Sequence, residues 1–216
     1  MKRLGRRLSA ALALIECDTL ADVGCDHGKA GIAAIRTGRA KRLILSDISE
    51  KSLSKARDLA SYFGIDADCR VGDGMTVLTH GEADCVLIAG MGGNEIVHIL
   101  DEGLAKCGSY VLVAHRDAPK LRKYLAERGF TLTADTVVRE RDKFYSVIAA
   151  EKGEPEKPDP VRELLGSNVP RSDDWEAYLD YIFNKYSAIR AQATDAPSRE
   201  KAEKVLRAAE AAKERS

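Results

Sequence analysis

Short apolar runs alternate with stretches of helical periodicity through the first two thirds of this chain, and that alternation narrows its fold more than any other feature. Residues 19–25, 42–46, 67–71, 83–89 and 110–114 read as strands; 28–37, 50–63, 94–105 and 119–128 read as helices. Consecutive strands so widely spaced cannot pair through tight hairpins. They pair in parallel through right-handed crossovers, which predicts an α/β, doubly wound, Rossmann-like sheet. Residues 130–139 and 144–151 predict a closing antiparallel pair around a turn at 140–143.

The segment 151–160 is charged and carries Pro155, Pro158 and Pro160, the mark of a boundary. It predicts a first domain over residues 1–152 and a small helical, coiled-coil-like tail over 153–216. Tail helices are expected near 160–165, 172–192 and 198–214. Trp175, Leu179, Ile182, Phe183, Tyr186 and Ile189 form the apolar stripe by which they would pack. At the other end, a basic start and a short apolar run imitate a secretion signal. The run stops at Glu16, however, and Leu4, Leu8, Leu12 and Ile15 fall at helical spacing, so an amphipathic helix is expected. No apolar run reaches the roughly 18 residues of a membrane span, so no membrane association is expected.

Lysine plus arginine and aspartate plus glutamate both number 34, so net charge does not point to a polyanion. Residues 153–216 hold 11 basic and 13 acidic side chains; any polyanion site must be a local patch, and Lys2, Arg3, Arg6 and Arg7 are the candidate. The five cysteines, Cys17, Cys25, Cys69, Cys85 and Cys107, include no CxxC pair. Reduced thiols in a cytoplasmic protein are expected, with no disulfide framework and no metal site.

Four short motifs fall at successive strand ends. In Leu20-Ala-Asp-Val-Gly-Cys-Asp-His-Gly28 a strand meets a glycine turn and a helix start, whose free N–H groups suit a ligand. A nicotinamide fingerprint would need glycine where Asp26 stands. Asp22, two residues before Gly24, suits a cofactor bearing an ammonium group, as S-adenosylmethionine does. Gly28 is equally readable as a helix-packing glycine. Asp47, followed by Ile48, ends the second strand. A carboxylate there accepts ribose hydroxyls, or else it or Ser49 caps the next helix. In Arg70-Val-Gly-Asp-Gly-Met75, Asp73 can accept an adenine amine while Gly74 lets the ring lie on the backbone; a plain Asp-Gly turn is the alternative. Val86-Leu-Ile-Ala-Gly-Met-Gly-Gly93 opens a buried strand into a glycine-rich loop, where Ala89, Gly90, Met91 and Gly92 can surround a flat ligand. A phosphate loop would need a following Gly-Lys-Ser/Thr, which is absent.

Ala21-Asp-Val-Gly-Cys-Asp-His27 together with Ile88-Ala-Gly-Met-Gly-Gly93 resembles the bacterial TrmK family. These are tRNA methyltransferases that modify N1 of the adenine at position 22. The resemblance spans the chain, including Arg7-Leu8, the Gly-Asp-Gly element and Tyr145-Ser-Val-Ile-Ala-Ala-Glu151. It implies a class I methyltransferase fold, S-adenosyl-L-methionine as cofactor and tRNA as partner. Asp26 then becomes the candidate catalytic carboxylate, set beside adenine N6, and Arg7, His27, His115 and Arg116 the candidate substrate contacts. Two stretches depart from the family. Val113-Ala-His-Arg-Asp117 stands where members tend to carry Gln-Pro-Asn, and Gly28-Lys-Ala-Gly31 stands where an aromatic and a proline are common. The alternatives are the same cofactor with another RNA or small-molecule acceptor, or a non-catalytic RNA-binding relative.

Overall fold

The computed structural model describes residues 4–154 and 159–215. Lys2 and Arg3 of the basic cluster, and Pro155 and Pro158 of the expected boundary, lie outside them. The chain runs α1 (Arg6–Ala13), β1 (Thr19–Val23), α2 (Lys29–Arg36), β2 (Arg42–Asp47), α3 (Glu50–Tyr62), β3 (Ala67–Val71), β4 (Cys85–Met91), α4 (Gly93–Asp101), β5 (Ser109–Ala114), α5 (Ala118–Glu127), β6 (Phe130–Glu140) and β7 (Lys143–Lys152). It ends in α6 (Pro160–Leu165), α7 (Trp175–Gln192) and α8 (Ala196–Glu214). One mixed sheet is ordered β3-β2-β1-β4-β5-β7-β6. The first five strands pair in parallel, and β7 pairs antiparallel with both β5 and β6.

The central strands are mostly apolar because helices cover both faces, with Thr19 and Asp22 of β1 as buried polar residues among them. Leu20, Leu87, Val111 and Val113 enter the core under α1–α3. Their neighbours Ala21, Val86, Ile88 and Leu112 enter the core under α4 and α5. Strand order reverses between β1 and β4, which opens a crevice at their carboxyl ends.

The fourth strand lies two residues later than its sequence pattern suggests. Asp84 does not join the strand: its carboxylate accepts the Thr19 N–H at 2.8 Å, at the sheet's amino edge. At the other end Met91 still pairs with Ala114, past a bulge at Gly90. The expected helix over 94–105 divides into α4 and a short 3₁₀ turn, Leu104–Lys106, beyond Gly103.

The tail is fastened to the sheet's edge. Val137 of β6 shares a core with Val161, Leu165, Trp175, Leu179, Val205 and Ala209. Fully burying a residue such as Leu179 contributes about 1.5–3 kcal/mol. Of the expected stripe, Trp175, Leu179 and Ile182 are buried, whereas Phe183 and Ile189 remain partly open to solvent. Arg122 of α5 is buried and pairs twice with Asp135 of β6, at 2.8 and 3.0 Å. It also donates to Ser146 Oγ on β7 and to the Leu165 carbonyl of α6. All five cysteines are free thiols. No helix among the described residues is long and apolar enough to cross a membrane.

Candidate active site

The loop after β1 turns tightly because Asp26 and Gly28 adopt left-handed backbone, φ 50° and 64°. Asn and Asp reach that region more readily than most residues with a Cβ. Asp47 holds the loop in place: its Oδ2 accepts the Asp26 N–H at 2.9 Å. Its Oδ1 accepts the Ser49 N–H at 2.9 Å, and Ser49 caps α3 by accepting the Ser52 N–H. Helix capping therefore belongs to Ser49. Asp47 remains turned toward the crevice loop, with Ile48 beside it 70% exposed. A Cβ at Gly28 would press on Ala56 and Leu45, so that glycine also lets α3 and β2 approach.

Asp22 lies beneath this loop, 3% exposed. Its Oδ2 accepts the Gly31 N–H at 2.9 Å. Burial pushes its carboxyl up to about 7; the Gly31 hydrogen bond opposes that shift and the like charge of Asp47 adds to it. A buried acid under such strain, with a second carboxylate as neighbour, suits a bound cation.

On the next strand end, Arg70 pairs with Asp68 and Glu82 and donates to the Val77 carbonyl at 2.8 Å, bracing the loop that carries Asp73. Arg70 holds Glu82 down to about 2. Asp73 precedes the 3₁₀ turn Gly74–Val77, yet its carboxylate makes no capping bond there and is exposed. The turn is closed through backbone instead, the Thr76 N–H donating to the Asp73 carbonyl at 3.0 Å.

The β4 loop and the β5 loop are stitched together. His115 N–H donates to the Met91 carbonyl at 3.2 Å, and Gly93 N–H donates to the Arg116 carbonyl at 2.8 Å. Gly90 sits at φ 89° with open space where a Cβ would be. Met91 folds back instead: its Cε lies 2.3 Å from the place a Gly24 Cβ would take, so the two glycine loops touch. Arg116 lies over Gly92 and pairs with Glu95 at 2.8 Å. The Gly92 N–H bond first, and then Arg116, hold Glu95 below the usual carboxylate range.

A groove of about 660 Å³ leads away from this rim, between the end of β5, the β6–β7 turn and the tail helices. His115, Arg116 and Lys120 form its inner end. Lys143, Phe144 and Tyr145 form one wall; Tyr181, Lys185 and Tyr186 of α7, with Lys201 and Lys204 of α8, form the other.

The methyltransferase domain family matches residues 4–148. A tRNA (adenine(22)-N(1))-methyltransferase of Bacillus subtilis is 30% identical over 158 residues, covering 70% of this chain and 66% of that protein, just under two thirds of its length. The solved B. subtilis TrmK is 25% identical, with a TM-score of 0.80 over 97% of this chain and 98% of that one. The chain belongs to the methyltransferase domain family and, within it, to the TrmK family. M. capricolum TrmK, solved with S-adenosyl-homocysteine, shares the fold at 20% identity, with a TM-score of 0.86 over 97% of both chains.

Within this methyltransferase domain the four motifs converge on one crevice, as their order along the strands predicts. Asp26 is 72% exposed at its rim, and His27 Nδ1 lies 3.5 Å from its carboxylate. His115 and Arg116 sit at the inner end of the groove. Arg7 is not among the groove's lining residues: it pairs with Glu140 at 2.5 Å and stacks on Tyr145, 5.0 Å from the ring centre. Arg6 likewise pairs with Asp174, so both described members of the basic cluster serve the junction with the hairpin and tail. The groove's aromatic and lysine walls escape the sequence motifs. The signal is present as a second helical face, Tyr178, Tyr181, Ile182 and Lys185, overlapping the apolar stripe at Ile182. Among the described residues, no three His, Cys, Asp or Glu side chains cluster to hold a metal.

Proposed function

We propose that this chain transfers the methyl group of S-adenosyl-L-methionine to N1 of an adenine in tRNA, at position 22. The observation that carries the reading is the convergence of the four motifs on the β1/β4 crevice. The B. subtilis relative supplies the acceptor, and the M. capricolum complex the cofactor class. A tRNA acceptor goes with a cytoplasmic enzyme. Residues 1–152 carry the chemistry in this reading, and 153–216 serve as an arm toward the RNA.

When bound, the cofactor supplies a methyl group on an electrophilic sulfonium. Asp22 lies beneath the loop where the ammonium end would rest. Asp47 accepts the ribose hydroxyls while still holding the Asp26 N–H. Asp73 accepts the adenine amine, and exposed Ile48 offers that ring an apolar face. The bulge at Gly90 leaves room for the acceptor base. Because N1 lies on the pairing edge, the acceptor must be unpaired or flipped to enter. N1 would take the methyl with its own lone pair, without prior deprotonation, as the methyl–sulfur bond breaks; the sulfonium would become a neutral thioether and the positive charge would pass to the ring. Asp26 sits at the rim to stabilise that charge or take a proton from N6.

His115 and Arg116 favour one second reading, the same cofactor with a different RNA or small-molecule acceptor. The test is incubation with labelled S-adenosyl-L-methionine and total tRNA, followed by mapping of the modified base. Label on adenine N1 at position 22 is the expected result. Label on another nucleotide selects the second reading, and no transfer to any RNA overturns both RNA readings.

A further inference from the structure

The groove between β5 and the tail has a chemistry that the methyl-transfer site does not use. Five lysines and Arg116 line it against only two carboxylates, Asp117 and Asp142. The tail as a whole is slightly acidic, yet none of its described carboxylates lines this face. Asp174, Asp180 and Asp159 are instead occupied by Arg6, Lys213 and Arg215. Lys120, Lys143, Lys201 and Lys204 are exposed and make no ion pair among the described residues.

Aromatic rings alternate with those lysines. Tyr181 is 44% exposed; its ring packs against Phe144, centroids 5.3 Å apart at an interplanar angle of 36°, and the rest of the ring is open to the groove. Lys185 Nζ lies 5.7 Å from the Tyr181 ring and 5.8 Å from Tyr186. Cations that track a backbone, interleaved with rings that offer a flat face, are what unpaired nucleic acid requires; a duplex hides its base faces. The inner end of the groove is the β5 loop, hydrogen-bonded directly to the Met91–Gly93 rim.

We infer that this groove holds the unpaired RNA nucleotides flanking the methylated base, one of them stacked on Tyr181 and its phosphates met by Lys201 and Lys204. The assignment rests on the reading that the acceptor is RNA. It adds a specificity: the enzyme selects an acceptor within an unpaired stretch, because the groove reads base faces outside the methyl-transfer crevice. A volume of about 660 Å³ lies within the range of small-ligand sites, enough for a short segment and not for a helix.

The full chain is tested with a labelled, unstructured RNA octamer, with a duplex RNA of the same length, and with tRNA. Tyr181→Ala weakens octamer binding roughly 5- to 150-fold, the range of one lost base stack, and raises KM for tRNA. Tyr181→Phe, which keeps the ring, binds as wild type. Removing two phosphate contacts in Lys201→Ala/Lys204→Ala lowers the salt slope for the octamer by about 1.4. Octamer affinity unchanged by Tyr181→Ala overturns the inference, as does an equal loss on duplex RNA. Calorimetry with S-adenosyl-L-methionine and the labelling of total tRNA separate the two readings. If no RNA is methylated while octamer binding still depends on Tyr181, the groove stands and the methyl-transfer reading falls. If tRNA is methylated with KM unchanged in both groove variants, the groove falls and that reading stands.

Discussion

The crevice at β1–β4 and the groove at β5–tail lie side by side, yet they are built in opposite ways. The crevice is made of backbone. Its glycines and its left-handed Asp26 bend the chain, and its loops are tied by carboxylates that accept nearby N–H groups, as Asp47 does for Asp26 and Ser49. The groove is made of side chains from segments far apart in sequence, Lys120, Phe144, Tyr181 and Lys204 among them. Its walls stand where they do because a buried ion pair fastens α5, β6, β7 and α6 together. A site of the first kind tolerates the loss of distant packing, whereas one of the second kind depends on it.

The largest expected effect breaks the groove and spares the crevice. Arg122→Leu leaves Asp135 buried without its partner and costs about 3–5 kcal/mol, read by urea unfolding. Cofactor affinity per folded molecule should hold while RNA affinity falls. A joint collapse of both affinities would show that the two regions are one unit.

Next comes the chemistry at the rim. Asp26→Asn keeps a residue tolerant of φ 50° and removes only the charge. Turnover should fall on the order of 100-fold, the usual loss for a positioned general base, with cofactor affinity changed much less. Equal losses in both would reduce Asp26 to an element of the loop.

Asp47→Ala should weaken cofactor binding by about 1.5–3 kcal/mol in calorimetry, since it removes charge-assisted hydrogen bonds. An unchanged affinity would take the ribose role away from Asp47.

The smallest effect is a pH dependence. Asp22 titrates at about 7 in the folded chain, above the ordinary 3.8, so the fold itself favours its protonated form. That contribution to stability is fully present below about 3.8 and is lost as pH rises through about 7. An ammonium group prefers the ionised form, so cofactor affinity should rise roughly tenfold from pH 6 to pH 8, as Asp22 goes from mostly protonated to mostly ionised. Asp22→Asn should flatten both trends. A wild-type affinity indifferent to pH in this range would separate Asp22 from the cofactor.

Local rules gave the sequence its legibility in the crevice. Strand alternation placed β2, β3 and β5 nearly to the residue and started β1 correctly while running it two residues past Val23, and a glycine or carboxylate that ends a strand acts on its immediate neighbours. The misplacement of β4 has the same origin. Whether Ala83 or Met91 belongs to the strand is decided by pairing with Thr19 and Ala114, which are distant in sequence. The basic first helix shows the limit more sharply. As sequence, Arg6 and Arg7 form a free cationic patch. In the fold, Asp174 and Glu140, more than 130 residues away, take up both charges. The tail shows the reverse: its net charge is slightly acidic, while folding gathers lysines onto one face and pairs several acids elsewhere. The sequence by itself thus determined the sheet, the order of the crevice motifs and the family. Which charges remain free to meet a ligand was decided only by tertiary structure, because a charge is neutralised by whatever lies within a few ångströms of it and chain order does not set that distance.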